Sequence, residues 1–84
     1  MSGIILYPLA TEKSIRLMES ENKLVFIVDS KANKIQVREE IEKEFKVKVV
    51  NIRTMIDTKG RKKAYVKFSA ETPAMDVATK LGLM

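Results

Sequence analysis

The basic residues of this chain are concentrated in one segment, residues 46–67. That segment holds eight Lys and Arg residues against a single acid, Asp57, for a net charge of +7. The other 62 residues carry eight bases and ten acids, a net charge of −2, so the two parts sum to the total of +5. A near-neutral body with one cationic segment has a directed field that concentrates a polyanion at that end. We therefore expect nucleic acid, or an anionic membrane surface, as the partner.

Two residue types that enzymes often use for catalysis, Cys and His, are absent from the sequence. There is no Cys, which excludes disulfides and thiolate metal sites, and no His, the commonest general base and metal ligand. The 84 residues are enough for one domain, residues 1–84, with little room for a deep substrate cleft. We expect no catalytic residue, no metal site and no cofactor.

Hydrophobic periodicity predicts the elements that position the basic segment. Four segments have the alternation or the short apolar run of a strand: residues 4–6, 23–29, 47–57 and 63–68. Three segments have the apolar spacing of a helix: residues 11–20, 33–45 and 72–81. The order (β)αβαββα predicts an α+β fold, a small antiparallel sheet with helices packed on it, of the ferredoxin-like or split β-α-β type.

The predicted helices have recognisable start signals and faces. The N-caps would be Thr11, Asn33 (in a capping-box variant with Gln36) and Thr72 (followed by Pro73), and Gly82 would end the last helix. In the first helix we expect Ile15 and Met18 to face the core. The outer face of the second helix carries Glu39, Glu40, Glu42 and Glu44. Because carboxylates repel phosphate, this helix should point away from nucleic acid; an ordinary solvated face predicts the same orientation.

The last two strands predict a basic hairpin with a tight turn at residues 58–60. In its first strand, alternation assigns Val50, Ile52, Thr54 and Ile56 to the core side. Outward-facing residues of neighbouring antiparallel strands lie side by side. The surface would present Arg53, Met55, Lys63, Tyr65 and Lys67, and the turn would add Lys59, Arg61 and Lys62. The cations would contact phosphates, and Tyr65 would stack on an unpaired base or pack on a ribose. Strand lysines also prevent aggregation, but no acid lies in residues 58–70, which favours nucleic-acid binding.

Two further lysines, Lys13 and Lys34, fall in the first turns of predicted helices, where the helix dipole disfavours a cation. A bound anion would explain both positions, as would simple exposure.

The N-terminal residues lack the basic start of a signal peptide, and no apolar stretch approaches the roughly 20 residues of a membrane span. We therefore expect a cytosolic protein. Met75, Leu83 and Met84 would form a protein-docking patch or simply fray.

Four sequence segments carry a family resemblance: residues 8–13 (PLATEK), 22–26 (NKLVF), 32–34 (ANK) and 61–68 (RKKAYVKF). Over nearly its entire length the chain resembles the large-subunit ribosomal protein L-twenty-three, and the KKAY core is specific to that family. Bacterial members carry a long hairpin loop that reaches into the exit tunnel. The connection here, Asp57 to Gly60, is similar to that of archaeal members. Enrichment in Lys and Glu also hints at a thermophilic source.

The resemblance implies a structural protein of the large ribosomal subunit with no catalysis of its own. Members of the family bind large-subunit rRNA at the rim of the polypeptide exit tunnel, beside the ribosomal protein L-twenty-nine. They also offer a docking site for nascent-chain factors such as the signal recognition particle. By motif position, the RNA contacts here would be Lys13, Lys34 and the basic residues around Lys62, Lys63, Ala64 and Tyr65.

The sequence departs from the family pattern at two positions, and two other classes of function stay open on the residues alone. Arg53 stands where the family usually has Asn; Arg contacts phosphate but lacks the paired donor and acceptor of an amide. Phe68 stands where Leu is usual.

A small enzyme acting on acyl phosphates through Arg53 and Asn51 is one alternative. A module that binds proteins or acidic lipid is the other, although lipid binding usually involves an amphipathic basic helix.

Overall fold

A computed structural model describes residues 3–82 of the chain. Its elements follow in the order β1 (Ile5–Pro8), α1 (Glu12–Glu21), β2 (Lys23–Val28), α2 (Lys34–Phe45), β3 (Val49–Ile56), β4 (Lys62–Phe68) and α3 (Ala74–Lys80). The predicted order of strands and helices is therefore confirmed. Of the three apolar residues expected near the C-terminus, Met75 is half exposed, whereas Leu83 and Met84 lie outside the described residues.

The four strands form one antiparallel sheet in the order β1-β2-β4-β3. β4 lies between β2 and β3, and α2 joins those two strands, which is a split β-α-β unit. β1 completes the sheet at the edge next to β2. The chain thus has the α+β fold that its sequence predicts, with β4 and β2 as the two central strands.

One face of the sheet packs against helices and forms the core. Phe26 is completely buried there, and its ring stacks on that of Phe45 with 6.4 Å between centroids. The core also takes Val37 and Ile41 from α2 and Val77 from α3. We call the opposite face, to which the alternate residues of β2 and β4 point, the open face.

Two predicted sets of core residues differ in the structure. In β3 a bulge between Val49 and Asn51 changes the phase of the strand, so Val49 is fully buried while Val50 is 48% exposed. In α1 the buried positions are Ser14 and Met18, and Ile15 is exposed. Ser14 can be buried because local hydrogen bonds satisfy its hydroxyl. Its Oγ donates to the Leu9 carbonyl at 2.8 Å and accepts from the Thr11 N–H at 2.8 Å.

Ile56, at the end of β3, is also exposed rather than in the core. It is the last residue of the strand before the turn, and its side chain is 60% accessible. The predicted alternation therefore holds only in the middle of β3, where Ile52 is buried and Thr54 is partly buried.

The helix caps confirm two predictions and correct one. Thr11 and Asn33 cap α1 and α2 through capping boxes with Ser14 and Gln36. At α3 the N-cap position is Pro73 rather than Thr72, and no side chain of the helix's own segment caps it. The first N–H of that helix, from Ala74, instead donates to Oδ1 of Asn22 at 2.6 Å. The cap comes from a residue distant in sequence, which local start signals do not show.

Asn22 therefore ties three parts of the fold together. Besides accepting from Ala74, it donates from Nδ2 to the carbonyl oxygens of Phe68, Ser69 and Thr72 at 3.0 to 3.2 Å. It also ends α1 in the left-handed conformation, with φ of 57°. The end of α1, the end of β4 and the start of α3 share this one amide.

Two substitutions of Asn22 distinguish the contribution of its side-chain amide to stability from that of its left-handed backbone conformation. Asn22→Gly keeps the left-handed conformation without strain and removes four hydrogen bonds, so we expect a loss of about 1–3 kcal/mol in the free energy of unfolding. Asn22→Ala should lose a further amount of about 1 kcal/mol, because an L-residue is strained at positive φ. Urea denaturation measures both. A glycine variant as stable as the unchanged protein would show that the amide bonds contribute nothing.

Candidate nucleic-acid interface

Cross-strand pairing arranges the residues of the open face in three rows. They are Tyr7, Ile27, Lys63 and Met55; then Val25, Tyr65 and Arg53; then Lys23, Lys67 and Asn51. The rows contain no Asp or Glu. Val25 and Ile27 are buried under their neighbours and form an apolar floor. Most of the polar side chains of the rows are on β3 and β4.

The cations of these rows are held on the open face by the apolar residues between them. Lys63 and Lys67 alternate along β4 with the fully buried Ala64 and Val66. In a strand, successive side chains point to opposite faces. Burial of the apolar residues therefore leaves the lysines no position other than the open face.

Most of the open-face cations have no partner among the described residues, 3–82. Among residues 3–82, the side chains of Arg53, Lys63 and Lys67 make no hydrogen bond or ion pair. Lys13 of α1 is in the same state. Lys13, Leu17, Lys23, Arg53, Met55 and Tyr65 together line a depression of about 240 Å³. The predicted contacts Lys13, Arg53 and Tyr65 are thus brought to one place, with Lys63 and Lys67 beside Tyr65 on the same strand.

The basic residues of the turn have a different role. Oδ1 of Asp57 accepts the N–H groups of Lys59 and Arg61 at 2.9 and 2.8 Å, and its Oδ2 accepts from Nε of Arg61 at 2.8 Å. Nη1 of Arg61 also donates to the hydroxyl of Tyr7 at 3.4 Å. Arg61 therefore braces the turn against β1, and Asp57 neutralises its charge. Gly60, with φ of +80°, provides the positive φ that the turn requires.

The protonation of this turn follows from its hydrogen bonds. Desolvation raises the pKa of Asp57, but the hydrogen bonds from Arg61 and Lys59 outweigh it, so the pKa lies below its usual value. The hydrogen bonds of Arg61 to Tyr7 and to Asp57 raise the pKa of its guanidinium. Both groups are fully charged at neutral pH.

Lys62 and Lys34 lie away from the open face. Lys62 is in phase with Ala64 along β4, and its Nζ donates to the carbonyl of Ala32 at 2.6 Å on the helix side. The sequence predicts Lys62 in the turn, whereas it is the first residue of β4 and its ammonium lies on the helix side. Lys34 is exposed at the start of α2, where it lines a separate depression with Ile35 beside β3. Lys59 is exposed at the tip of the turn.

The carboxylates of α2 are on the far side of the sheet from the open-face cations. α2 packs on the core face through Val37 and Ile41, which confirms the orientation expected for its acidic side. Glu42 is an exception to the predicted solvated face. It accepts the N–H of Val49 at 3.0 Å and lies 3.9 Å from Arg38, so it holds the start of β3.

Sequence reasoning missed two residues beside the predicted contacts, Tyr7 on the open face and Leu17 of α1. Tyr7 reaches this face only because the register shifts between Ile5 and Tyr7, and no sequence signal marks that shift. Leu17 could have been found, since it lies at i+4 from the predicted contact Lys13 and therefore on the same side of α1.

A family model described as Ribosomal protein L23 matches residues 3–77. The chain belongs to the ribosomal protein L23 family. The resemblance carried by residues 8–13 and 61–68 is thereby confirmed. L23 proteins are structural, non-enzymatic components of the ribosome, so the acyl-phosphate alternative fails. Asn51 and Arg53 also line different depressions of this L23 chain.

Three curated relatives of this L23 chain are described as large ribosomal subunit protein uL23. The protein of Halobacterium salinarum is 49% identical over 83 residues, 99% of each chain. That of Pyrobaculum aerophilum is 50% identical over 74 residues, 88% of this chain and 91% of the relative. That of Trypanosoma brucei brucei is 47% identical over 81 residues, 96% of this chain. The chain spans about half the length of the trypanosome relative, 49%, and nearly all of the two archaeal ones.

The hairpin of this L23 chain has the short form that the sequence indicates. β3 ends at Ile56 and β4 begins at Lys62, so residues 57–61 are the whole connection. No helix within residues 3–82 is long and apolar enough to cross a membrane.

The depressed pKa of Asp57 predicts how acid affects the turn. A carboxyl with a lower pKa in the folded protein stabilises the fold above its unfolded pKa, about 3.9, and this contribution is lost as the pH falls through the folded value. Asp57→Asn keeps an oxygen acceptor but has no charge, so it should melt at a lower temperature than the unchanged protein at pH 7. The difference should shrink below pH 4. A difference that stays constant from pH 7 to pH 2 would contradict an ionic role for Asp57.

Proposed function

We propose that this chain is a structural constituent of the cytoplasmic large ribosomal subunit and binds large-subunit rRNA through the open face of its sheet. The observation that carries the proposal is the group of cations Lys13, Arg53, Lys63 and Lys67. They share one surface and have no partner within residues 3–82, and the three rows of the sheet contain no acid. Family membership and the three uL23 relatives support the choice of RNA.

The mechanism is neutralisation of closely spaced phosphates by side chains that are already in place. Arg53 pairs with Tyr65 and so lies diagonally across from Lys63 and Lys67, and like charges on one face of neighbouring strands repel. A phosphate bound between such side chains relieves the repulsion and releases counterions. Because RNA would bind only the folded sheet, binding would also stabilise a small domain.

The remaining predicted contacts fall into two groups. Lys34 and Lys59 are exposed and make no side-chain hydrogen bond or ion pair within residues 3–82, so we assign them to neighbouring parts of the RNA. Arg61 and Lys62 shape the hairpin through Asp57 and Ala32 and add only to the overall field.

The family resemblance supports a finer placement. In this proposal the chain sits at the rim of the polypeptide exit tunnel beside the ribosomal protein L-twenty-nine and contributes to the docking site of nascent-chain factors such as the signal recognition particle. The connection of residues 57–61 is too short for a finger inside the tunnel. The helix side of the sheet would then remain available to proteins while the open face is covered by RNA.

A matched pair of double variants tests the proposal. Lys63→Gln with Lys67→Gln changes the open face, and Lys43→Gln with Lys80→Gln changes exposed lysines on the helices; each pair lowers the net charge from +5 to +3. Binding to protein-stripped large-subunit rRNA is measured over a range of salt concentrations. The open-face pair should bind more weakly, and the slope of log K against log salt should become less negative by about 1.5.

The helix pair should lose much less affinity, and its slope should stay near that of the unchanged protein. Small-subunit rRNA serves as the control RNA, to which the unchanged protein should bind more weakly as salt rises. Equal losses from both pairs, or equal binding to both RNAs at every salt concentration, would mean that the cations act only as a generic polyanion binder.

A further inference from the structure

Tyr65 lies at the centre of the open face, between two adjoining depressions. The larger, of about 240 Å³, is lined by Lys13, Leu17, Lys23, Arg53, Met55 and Tyr65. The smaller, of about 50 Å³, shares Lys13, Leu17 and Tyr65 and reaches Val25 on the floor. Tyr65 is itself half-buried, and its hydroxyl makes no hydrogen bond within residues 3–82.

The lining of the larger depression combines apolar sides with a cationic rim. Leu17, Met55 and the ring of Tyr65 are apolar, and Met55 is 48% exposed to water. Lys13 and Arg53 are unpartnered at the rim, whereas Lys23 is paired with Glu21 at 3.0 Å. Phosphate alone would gain nothing from the apolar sides. A ligand with a flat apolar surface attached to an anion matches both parts of the lining.

We propose that one unpaired nucleotide of the bound RNA places its base in this depression, stacked on Tyr65. Leu17 and Met55 pack against the base, and Lys13 and Arg53 bind the adjacent phosphate. This inference rests on the proposed function and specifies its ligand as a single-stranded loop or bulge. A base inside a duplex is stacked on its neighbours and does not reach such a depression, whereas splayed bases commonly stack on aromatic side chains of RNA-binding sheets.

Tyr7 provides an internal control for this site. It is on the same face and is more exposed than Tyr65, but it belongs to the edge strand β1 and does not line the larger depression. Its hydroxyl is bonded to Arg61. An aromatic ring that simply lay near RNA would affect binding equally at either position, whereas a base site distinguishes the two.

The test compares Tyr65→Leu, Tyr65→Phe and Tyr7→Leu in binding to protein-stripped large-subunit rRNA across a salt series. Tyr65→Leu should weaken binding by about 5- to 150-fold, the range for one stacked base. Its salt slope should be unchanged, because no phosphate contact is lost. Tyr65→Phe should bind within about twofold of the unchanged protein, since the ring remains. Tyr7→Leu should lose clearly less affinity than Tyr65→Leu, because Tyr7 does not line the depression.

The outcomes separate this inference from the proposed function. If Tyr65→Leu binds as tightly as the unchanged protein while Lys63→Gln with Lys67→Gln is weakened, the base site is wrong and the rRNA-binding face stands. A changed salt slope in Tyr65→Leu would also overturn the base site, because Tyr65 would then act by positioning the cations. If neither variant is weakened, the open face does not bind the RNA. Met55→Gln, at an exposed position, repeats the test should Tyr65→Leu fail to fold, with weaker binding at unchanged slope expected.

Discussion

The register of β4 is the constraint on which the rest of the structure depends. Ala64, Val66 and Phe68 are buried to 1% exposure or less, and this burial directs Lys63, Tyr65 and Lys67 to the open face. A slip of one residue would exchange the two sets and bury the lysines in the core. Both ends of the strand are fixed by hydrogen bonds from elsewhere: Asp57 and Arg61 close the turn before it, and Asn22 holds the carbonyl of Phe68 where it ends.

The sheet separates the two signs of charge. Three cations of β3 and β4 that have no partner in the part of the chain that the structure describes are on the open face, and the carboxylates of α2 are on the other side of the core. A small domain with repelling charges on one face is less stable than the same domain with its acids interspersed. That arrangement is costly for the free protein and favourable once an anion covers the face, which links the stability of the fold to its occupancy.

Local signals in the sequence were sufficient for most of the fold but not for the irregular contacts. Periodicity and capping residues predicted the seven elements, and alternation in β4 predicted its open-face residues correctly. The bulge of β3 was not predicted because Val49 and Val50 are equally good core residues, and only tertiary packing chooses between them. The cap of α3 by Asn22 was missed because the two positions are 52 residues apart in the chain.

The candidate site was predicted less well than the fold, for a reason visible at Lys62. Once β4 begins at residue 62, alternation places Lys62 on the same side as Ala64, and its ammonium bonds to the Ala32 carbonyl.

The charge of +7 in residues 46–67 therefore overstates the charge that faces one ligand. Arg61 is neutralised by Asp57, Lys62 is on the helix side, and three cations of the hairpin strands remain on the open face. With Lys13 they could neutralise about four phosphates, which corresponds to a slope of log K against log salt of about −3. Electrostatics of that size leaves specificity to other contacts, and the uncharged side chains around Tyr65 are where the open face can supply them.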